Sequence, residues 1–247
     1  MLAVWRRNLK VWLKHVKASL IGNLGQPFLF LLAMGFGLGK SVPEIEGLTY
    51  LQFIAPGLVA SAVMYSAAFE ATYGSYTRLS TQGTFEAILM TPVSVTELAL
   101  GEILWGATKG LISGLIMLAA IPFFGVVPEP SVALILPVLL VEGLLFASMG
   151  IIMTATATNY EYFNYFTSLI ITPFFLFSGI FFSLSAMHGP VGLVLSWLPL
   201  AAVVDLSRSL TYGRIEPVLA LDLGLLLAYT ALFLLLAVML MRRRLIQ

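Results

Sequence analysis

Two ionisable side chains lie in the middle of long apolar runs, where a charge finds little to solvate it. Lys109 lies within the run Leu98–Phe124, and Glu142 lies within the next run, Val132–Ala157. An unpaired charge at the centre of a bilayer costs at least about 2.5–3.5 kcal/mol. Because consecutive spans run antiparallel, we predict that both residues lie near mid-depth and form an intramembrane polar pair or face a polar cavity. Such a pair would serve as a structural ion pair or as the relay of a transporter.

Other familiar reactive patterns are incomplete. The stretch Gly35–Ser41 reads GFGLGKS, but Met34 occupies the position where a phosphate-binding loop needs its first glycine. The chain has no cysteine, and its two histidines, His15 and His188, fall on opposite sides of the predicted membrane. We therefore expect no nucleotide site, no metal site, no cofactor and no catalytic residue on this chain.

The composition predicts an all-α integral membrane protein. Hydrophobic residues make up 60% of the 247 residues, charged residues only 10%, and the mean hydropathy is +0.98. A span needs about 20 mostly apolar residues. Six runs meet that length, whereas a seventh, Val191–Val204, is short and contains Pro199, which favours a re-entrant segment. The six predicted spans are Ser19–Leu38, Leu51–Tyr73, Leu98–Phe124, Val132–Ala157, Phe163–Ser183 and Leu219–Met241.

The basic residues predict the orientation of the spans. With six spans, most lysines and arginines fall on one side, and the opposite side receives only Lys40, Arg208 and Arg214. Cytoplasmic loops carry the excess of lysine and arginine, so both termini are predicted to be cytoplasmic. The residues on the basic side are Arg6, Arg7, Lys10, Lys14, Lys17, Arg78, Arg242, Arg243 and Arg244.

Two segments outside the spans have helical patterns. Residues Met1–Lys17 alternate apolar and basic side chains and include two tryptophans, which is typical of an interfacial helix. Between spans two and three, Phe85, Ile88 and Leu89 share one face of a short helix, and Ser94 precedes Glu97 as in a capping box. The pattern leaves open whether that short helix rests on its own bundle or bilayer, or contacts a soluble partner.

Three regions together resemble the ABC type-2 transporter permease family, and within it the nodulation-type permeases of lipo-oligosaccharide and multidrug export. They are the six-span layout with its amphipathic N-terminal helix, the loop Thr84–Ser94, and the late block Thr172–Ser183 followed by Leu198-Pro-Leu and Asp205-Leu-Ser-Arg208. The resemblance covers nearly the whole chain and implies one transmembrane domain, residues 1–247. It also implies a connecting helix at 1–17, a cytoplasmic coupling loop at 74–97 and an outer re-entrant region at 184–217.

The resemblance assigns roles to particular residues. Contact with a separate ATP-binding subunit would involve Phe85, Glu86, Ile88 and Leu89, with Thr91 and Pro92 ending the coupling helix. The outer re-entrant element would contain Pro199, Asp205 and Arg208. A permease of this family would work as a dimer, here expected to be a homodimer, with two ATP-binding subunits that hold ATP and Mg²⁺. Its expected location is the bacterial inner membrane, and no nucleic-acid partner is expected.

The function favoured by these features is ATP-driven export of a lipid-linked glycan or hydrophobic drug through the membrane bilayer. An ion-coupled secondary transporter using Lys109 and Glu142 is the first alternative, although the sequence shows no inverted repeat of the kind such carriers contain. A membrane assembly factor that transports nothing is the second. The absence of a catalytic constellation disfavours an enzyme.

Overall fold

The computed structural model describes residues 1–14, 16, 25, 27–39, 41–187, 189–214 and 216–246. Within them the chain is helical, and no β-strand is formed beyond an isolated bridge between Ile45 and Leu48. The α-helices are α1 (Leu2–Trp12), α2 (Tyr50–Phe69), α3 (Thr84–Leu89), α4 (Val95–Ala120), α5 (Ile135–Thr156), α6 (Glu161–Phe166), α7 (Thr172–Phe177), α8 (Pro190–Ser196), α9 (Pro199–Thr211) and α10 (Leu219–Leu245).

Shorter helical turns extend or join these elements. Residues 27–32 are helical and continue into the π-helix Ala33–Leu38. The π-helices Glu70–Gly74 and Thr77–Thr81 prolong α2, and Thr167–Ile171 joins α6 to α7. The 3₁₀ turns Ile121–Phe124 and Pro130–Leu134 follow α4 and precede α5.

Four helices of the described part are long and apolar enough to span a membrane. They are Tyr50–Thr81, Val95–Phe124, Pro130–Thr156 and Leu219–Leu245, which confirms four of the six predicted spans. Of the predicted first span, residues 25 and 27–38 are described, and the helix over 27–38 is shorter than a span requires; the other residues of that span lie outside the described part of the chain. The predicted fifth span leaves its helix after Phe177, because the chain turns at Gly179, whose φ of 75° suits glycine.

Helix α2 forms the centre of the bundle. It is apolar around its whole circumference and almost completely buried, as expected of a helix surrounded by others. Helix α5 approaches closely because Gly150 lies against α2: a Cβ added at Gly150 would lie 2.6 Å from the Cβ of Ala71. The C-terminal helix α10 packs at the periphery, with many leucines facing outward.

The spans arrange the connecting segments at two ends of the bundle. At one end, the terminal amine of Met1 lies 3.4 Å from Glu97, and Arg244 donates to the carbonyl of Ala157 at 2.7 Å. This end therefore carries α1, α3, the turn after α5 and the C-terminal arginines. We call it the basic end. The predicted placement of both termini at the same end is present in the structure.

The other connections meet at the opposite end. The Glu129 amide donates to the carbonyl of Thr211 at 2.8 Å, and Arg214 donates to the carbonyl of Glu46 at 3.1 Å. These bonds tie the segment before α2, the turn between α4 and α5, and the chain after α9 into one cap.

Candidate functional site

Helix α3 projects from the basic end between two spans. Its entry is Gly83, whose φ of 59° is left-handed and suits glycine. Its exit leads into α4 through a capping box, in which Ser94 accepts from the Glu97 amide at 3.2 Å and Glu97 accepts from the Ser94 amide at 3.0 Å. The predicted capping box is confirmed, and it joins the short helix firmly to the next span.

Phe85 anchors α3 to its own bundle. Its side chain is 0% exposed and belongs to the main hydrophobic core. Ile88 and Leu89 are half-buried and pack against that core. The contact of Phe85 with a second subunit stays a prediction; in this conformation its apolar side chain packs within its own chain.

The outer surface of α3 carries a different set of residues. Met90 is 89% exposed, although methionine is a large apolar side chain. Glu86, Thr91 and Pro92 are exposed beside it, in agreement with their predicted position on the surface and at the end of the helix. Met90 was not singled out from the sequence. Its position next to Thr91 and Pro92, at the tip of the loop, is the signal that identifies it.

Helix α1 lies alongside α4 and reaches α3. Trp5 donates its indole N–H to Thr108 at 2.9 Å, and Val4 packs over Gly101, with both residues of α1 inserted toward α4. Arg7 donates to Thr84 at 3.4 Å. The predicted N-terminal helix is present, with its tryptophan face turned to the bundle. An apolar groove of about 430 Å³ separates it from α3.

A network of buried charges joins α1, α2 and α4 just beneath α3. Arg78 contacts Glu102 at 2.7 Å and Glu70 at 2.9 Å, and Lys109 contacts Glu70 at 2.6 Å. Asn8 of α1 donates to Glu102 at 2.7 Å. Glu102 is fully buried, so removing its cationic partner would leave an uncompensated charge, which is strongly destabilising.

This network corrects the predicted Lys109–Glu142 pair. Lys109 binds Glu70 instead, and both carboxyl oxygens of Glu142 are buried with no hydrogen-bond partner in the described part of the chain. Glu70 and Glu102 both lie inside the protein, with side-chain exposures of 11% and 0%. The observed pairing follows from the antiparallel order of the two spans. In the extension of α2, Glu70 comes before Arg78, and in α4 Glu102 comes before Lys109, so Arg78 meets Glu102 and Glu70 meets Lys109.

The segment that was predicted to be re-entrant lies at the opposite end. Helices α8 and α9 meet at an angle of 80°, the geometry of a broken span or a re-entrant loop. Pro199 begins α9, as proline commonly does at a first helical turn. Arg208 donates to the Gly179 carbonyl at 2.8 Å and lies 3.3 Å from Asp205, so it fastens α9 to the turn after α7.

Aromatic side chains line one flank of α2. Tyr65, Phe69 and Tyr73 form successive ring contacts with centroids 5.7 and 6.0 Å apart. A cavity of about 300 Å³ opens beside Phe69 and Tyr73 and is bordered on the other side by polar groups, including Asn164. The surface therefore offers aromatic rings next to hydrogen-bonding groups.

Among the described residues, no three acidic, histidine or cysteine side chains form a cluster that could hold a metal ion. His15 and His188 both lie outside those residues.

Comparison with known proteins places this arrangement among membrane transporters. Residues 1–212 match the family described as ABC-2 type transporter. The chain is 37% identical to nodulation protein J of Rhizobium meliloti, over 99% of this chain and 93% of that protein. It is likewise 37% identical to nodulation protein J of Bradyrhizobium diazoefficiens, over 99% and 94%. The inner membrane transport permease YadH of Escherichia coli is 23% identical, over 75% and 72%.

Proposed function

Because the chain belongs to the ABC-2 type transporter family, we propose that it is the membrane-spanning subunit of an ATP-driven exporter, with ATP hydrolysed on a separate subunit that docks at α3. The family assignment makes it a multi-pass membrane transport component. The docking site, the partner's copy number and the substrate are the proposal. The basic end is then cytoplasmic, in accord with the rule that cytoplasmic loops carry the excess of lysine and arginine.

The observation that carries the proposal is the construction of α3. Its tip presents Met90 to the outside, while its root is held by Phe85 in the core. The adjoining charge network connects α2 and α4 through Arg78 and Glu102. A displacement applied to the tip is thus transmitted to two spans together, as rigid-body switching between two access states requires. ATP binding would favour one of those states.

The aromatic flank of α2 supports an amphiphilic substrate. Phe69 and Tyr73 supply apolar surface, and Asn164 supplies a hydrogen-bonding group at the same cavity. A lipid-linked glycan or a hydrophobic drug combines both kinds of surface. We further propose that two copies of the chain form the complete passage in the bacterial inner membrane, each copy served by one ATP-binding subunit.

The alternative of an ion-coupled transporter depends on a relay formed by Lys109 and Glu142, and the two residues do not pair in the structure. Lys109 is engaged with Glu70, and Glu142 has no cationic partner among the described residues. No observation in the structure favours the assembly-factor alternative.

Co-purification with the ATP-binding subunit tests the docking site. Met90→Asp places a charge at the exposed apolar residue that caps the C-terminus of α3, and we expect it to weaken association by about tenfold or more, since a few anchor residues dominate interfaces. Met187→Asp makes the same change at the opposite end, where Met187 is also exposed, and should leave association unchanged. Equal binding by Met90→Asp and the unmodified chain would show that α3 is not the docking element.

A further inference from the structure

A second cavity at the basic end is not used by the proposed docking of an ATP-binding subunit. It has a volume of about 260 Å³ and lies between α1, the π-helical extension of α2, and α4. We call it the α1 cleft. Its lining includes Arg7 and Trp12 of α1, Glu70 and Arg78 of the α2 extension, and Trp105 of α4. A water molecule occupies about 30 Å³ in the liquid, so the α1 cleft admits a group the size of a phosphate.

The charges around the α1 cleft do not cancel. Arg78 and Lys109 are neutralised by Glu70 and Glu102, with which they form short ion pairs. Arg7 remains, and within the described part of the chain no carboxylate lies within ion-pair distance of it. One positive charge is therefore in excess.

The surroundings of Arg7 disfavour its positive charge. Its side chain donates to Asn8 at 2.8 Å and to Thr84 at 3.4 Å, both neutral acceptors. Burial lowers the pKa of the Arg7 guanidinium, and the positive charge of Arg78 lowers it further, while Glu102 acts in the opposite direction. A bound anion would relieve both the loss of solvation and the repulsion from Arg78.

Trp12, which lines the same cleft, carries an unused hydrogen-bond donor. The Trp12 indole nitrogen is buried, and it has no hydrogen-bond partner among the residues that the structure describes. Buried tryptophan N–H groups normally find a partner, so an orphan of this kind needs an explanation. The Trp12 ring is held edge-on to Trp105, with centroids 6.0 Å apart.

We propose that the α1 cleft binds a phosphate group, with Arg7 supplying the charge and the Trp12 indole N–H supplying a further hydrogen bond. The guanidinium fork matches phosphate oxygens in geometry, and its hydrogen bonds to an anion are about twice as strong as those between neutral groups. The phosphate belongs to the headgroup of an anionic lipid or to a free phosphate in solution. Both sources have the same recognition chemistry.

The test uses the full chain, without any ATP-binding subunit, in dodecyl maltoside micelles, because this detergent contains no phosphate. One arm adds inorganic phosphate or pyrophosphate, and the other adds phosphatidylglycerol to the micelles. Ligand binding is read from the rise in melting temperature and from the change in tryptophan fluorescence. A response to phosphatidylglycerol alone identifies a lipid headgroup, and a response to soluble phosphate alone identifies a free anion. Either response supports the site, and no response in both arms overturns it.

Arg7→Gln and Arg6→Gln form a matched pair, since Arg6 is the adjacent arginine and is exposed outside the cleft. We expect Arg7→Gln to weaken binding about tenfold, in keeping with the loss of a charged hydrogen bond, and Arg6→Gln to leave it within about twofold. Equal losses in the two variants would mean general attraction to a basic surface and would refute the site. Trp12→Phe keeps an aromatic ring at this position and removes the donor together with part of the ring. It should also weaken binding, and it serves as the second variant if Arg7→Gln does not fold. Because no ATP-binding subunit is present, the result is independent of the docking experiment.

Discussion

At the scale of single residues, the buried charges of two neighbouring spans neutralise one another inside the bundle. Lys109 does form an ion pair, as its apolar surroundings demand, but the carboxylate is Glu70 rather than Glu142. Glu70 also contacts Arg78, which contacts Glu102, so four charges share one network. The consequence is that residues on two consecutive spans are coupled beneath α3.

A double-mutant cycle distinguishes the two pairings. Lys109→Ala combined with Glu70→Ala should give a coupling energy of about 1–3 kcal/mol, as contacting residues in one network do. Lys109→Ala combined with Glu142→Ala should be additive within about 0.5 kcal/mol. The measurement is the free energy of unfolding in mixed micelles. Additivity for Lys109 and Glu70 would contradict the ion pair seen here.

At the scale of helices, close packing depends on small residues where spans meet. Gly150 of α5 lies against Ala71, so the two backbones approach without an intervening side chain. Such contacts stabilise helix association in membranes, where apolar surface alone gives no preference for protein over lipid. They hold the spans beneath α3 in a fixed relation.

Gly150→Leu tests this contact. The new side chain would overlap Ala71, and overpacking of this kind costs about 1–3 kcal/mol. Gly224→Leu is the control, because a Cβ at Gly224 meets nothing within 4 Å. The melting temperature in detergent should fall for Gly150→Leu and change little for Gly224→Leu. A similar fall in both variants would indicate that helix content, rather than the contact, is affected.

At the scale of the whole molecule, the two ends of the bundle differ, and this difference defines the proposed orientation of the chain in the membrane. The basic end carries α1, α3 and the C-terminal arginines, and the opposite end carries the bent pair α8 and α9. Arg208 ties that bent pair to the bundle through the carbonyl of Gly179. One end therefore carries α3, the proposed docking element, while the bent pair covers the other end.

Single cysteines test this orientation, and the chain contains no other cysteine to interfere. Met90→Cys and Met187→Cys place thiols at exposed positions on opposite ends. In intact cells, a membrane-impermeant maleimide should label Met187→Cys after passage through the outer envelope, and it should label Met90→Cys only once the inner membrane is opened. The reverse labelling pattern would invert the topology.

Hydropathy and short local motifs were enough to predict the membrane class, the approximate bounds of four spans, the capping box at Ser94, the bend near Pro199 and the separation of basic residues to one end. All of these depend on hydropathy or on local hydrogen bonding along a few neighbouring residues. Such signals report how deep a residue lies in the membrane. They do not report which neighbour it faces.

The tertiary structure alone decided that Phe85 is buried while Met90 is exposed, and that Lys109 pairs with Glu70. Successive residues are about 100° apart around a helix. Which side chains meet therefore depends on how each of the two helices is rotated about its own axis. In a span that is apolar on every side, the hydrophobic pattern leaves that rotation undetermined. Side-chain packing and the pairing of buried charges set it.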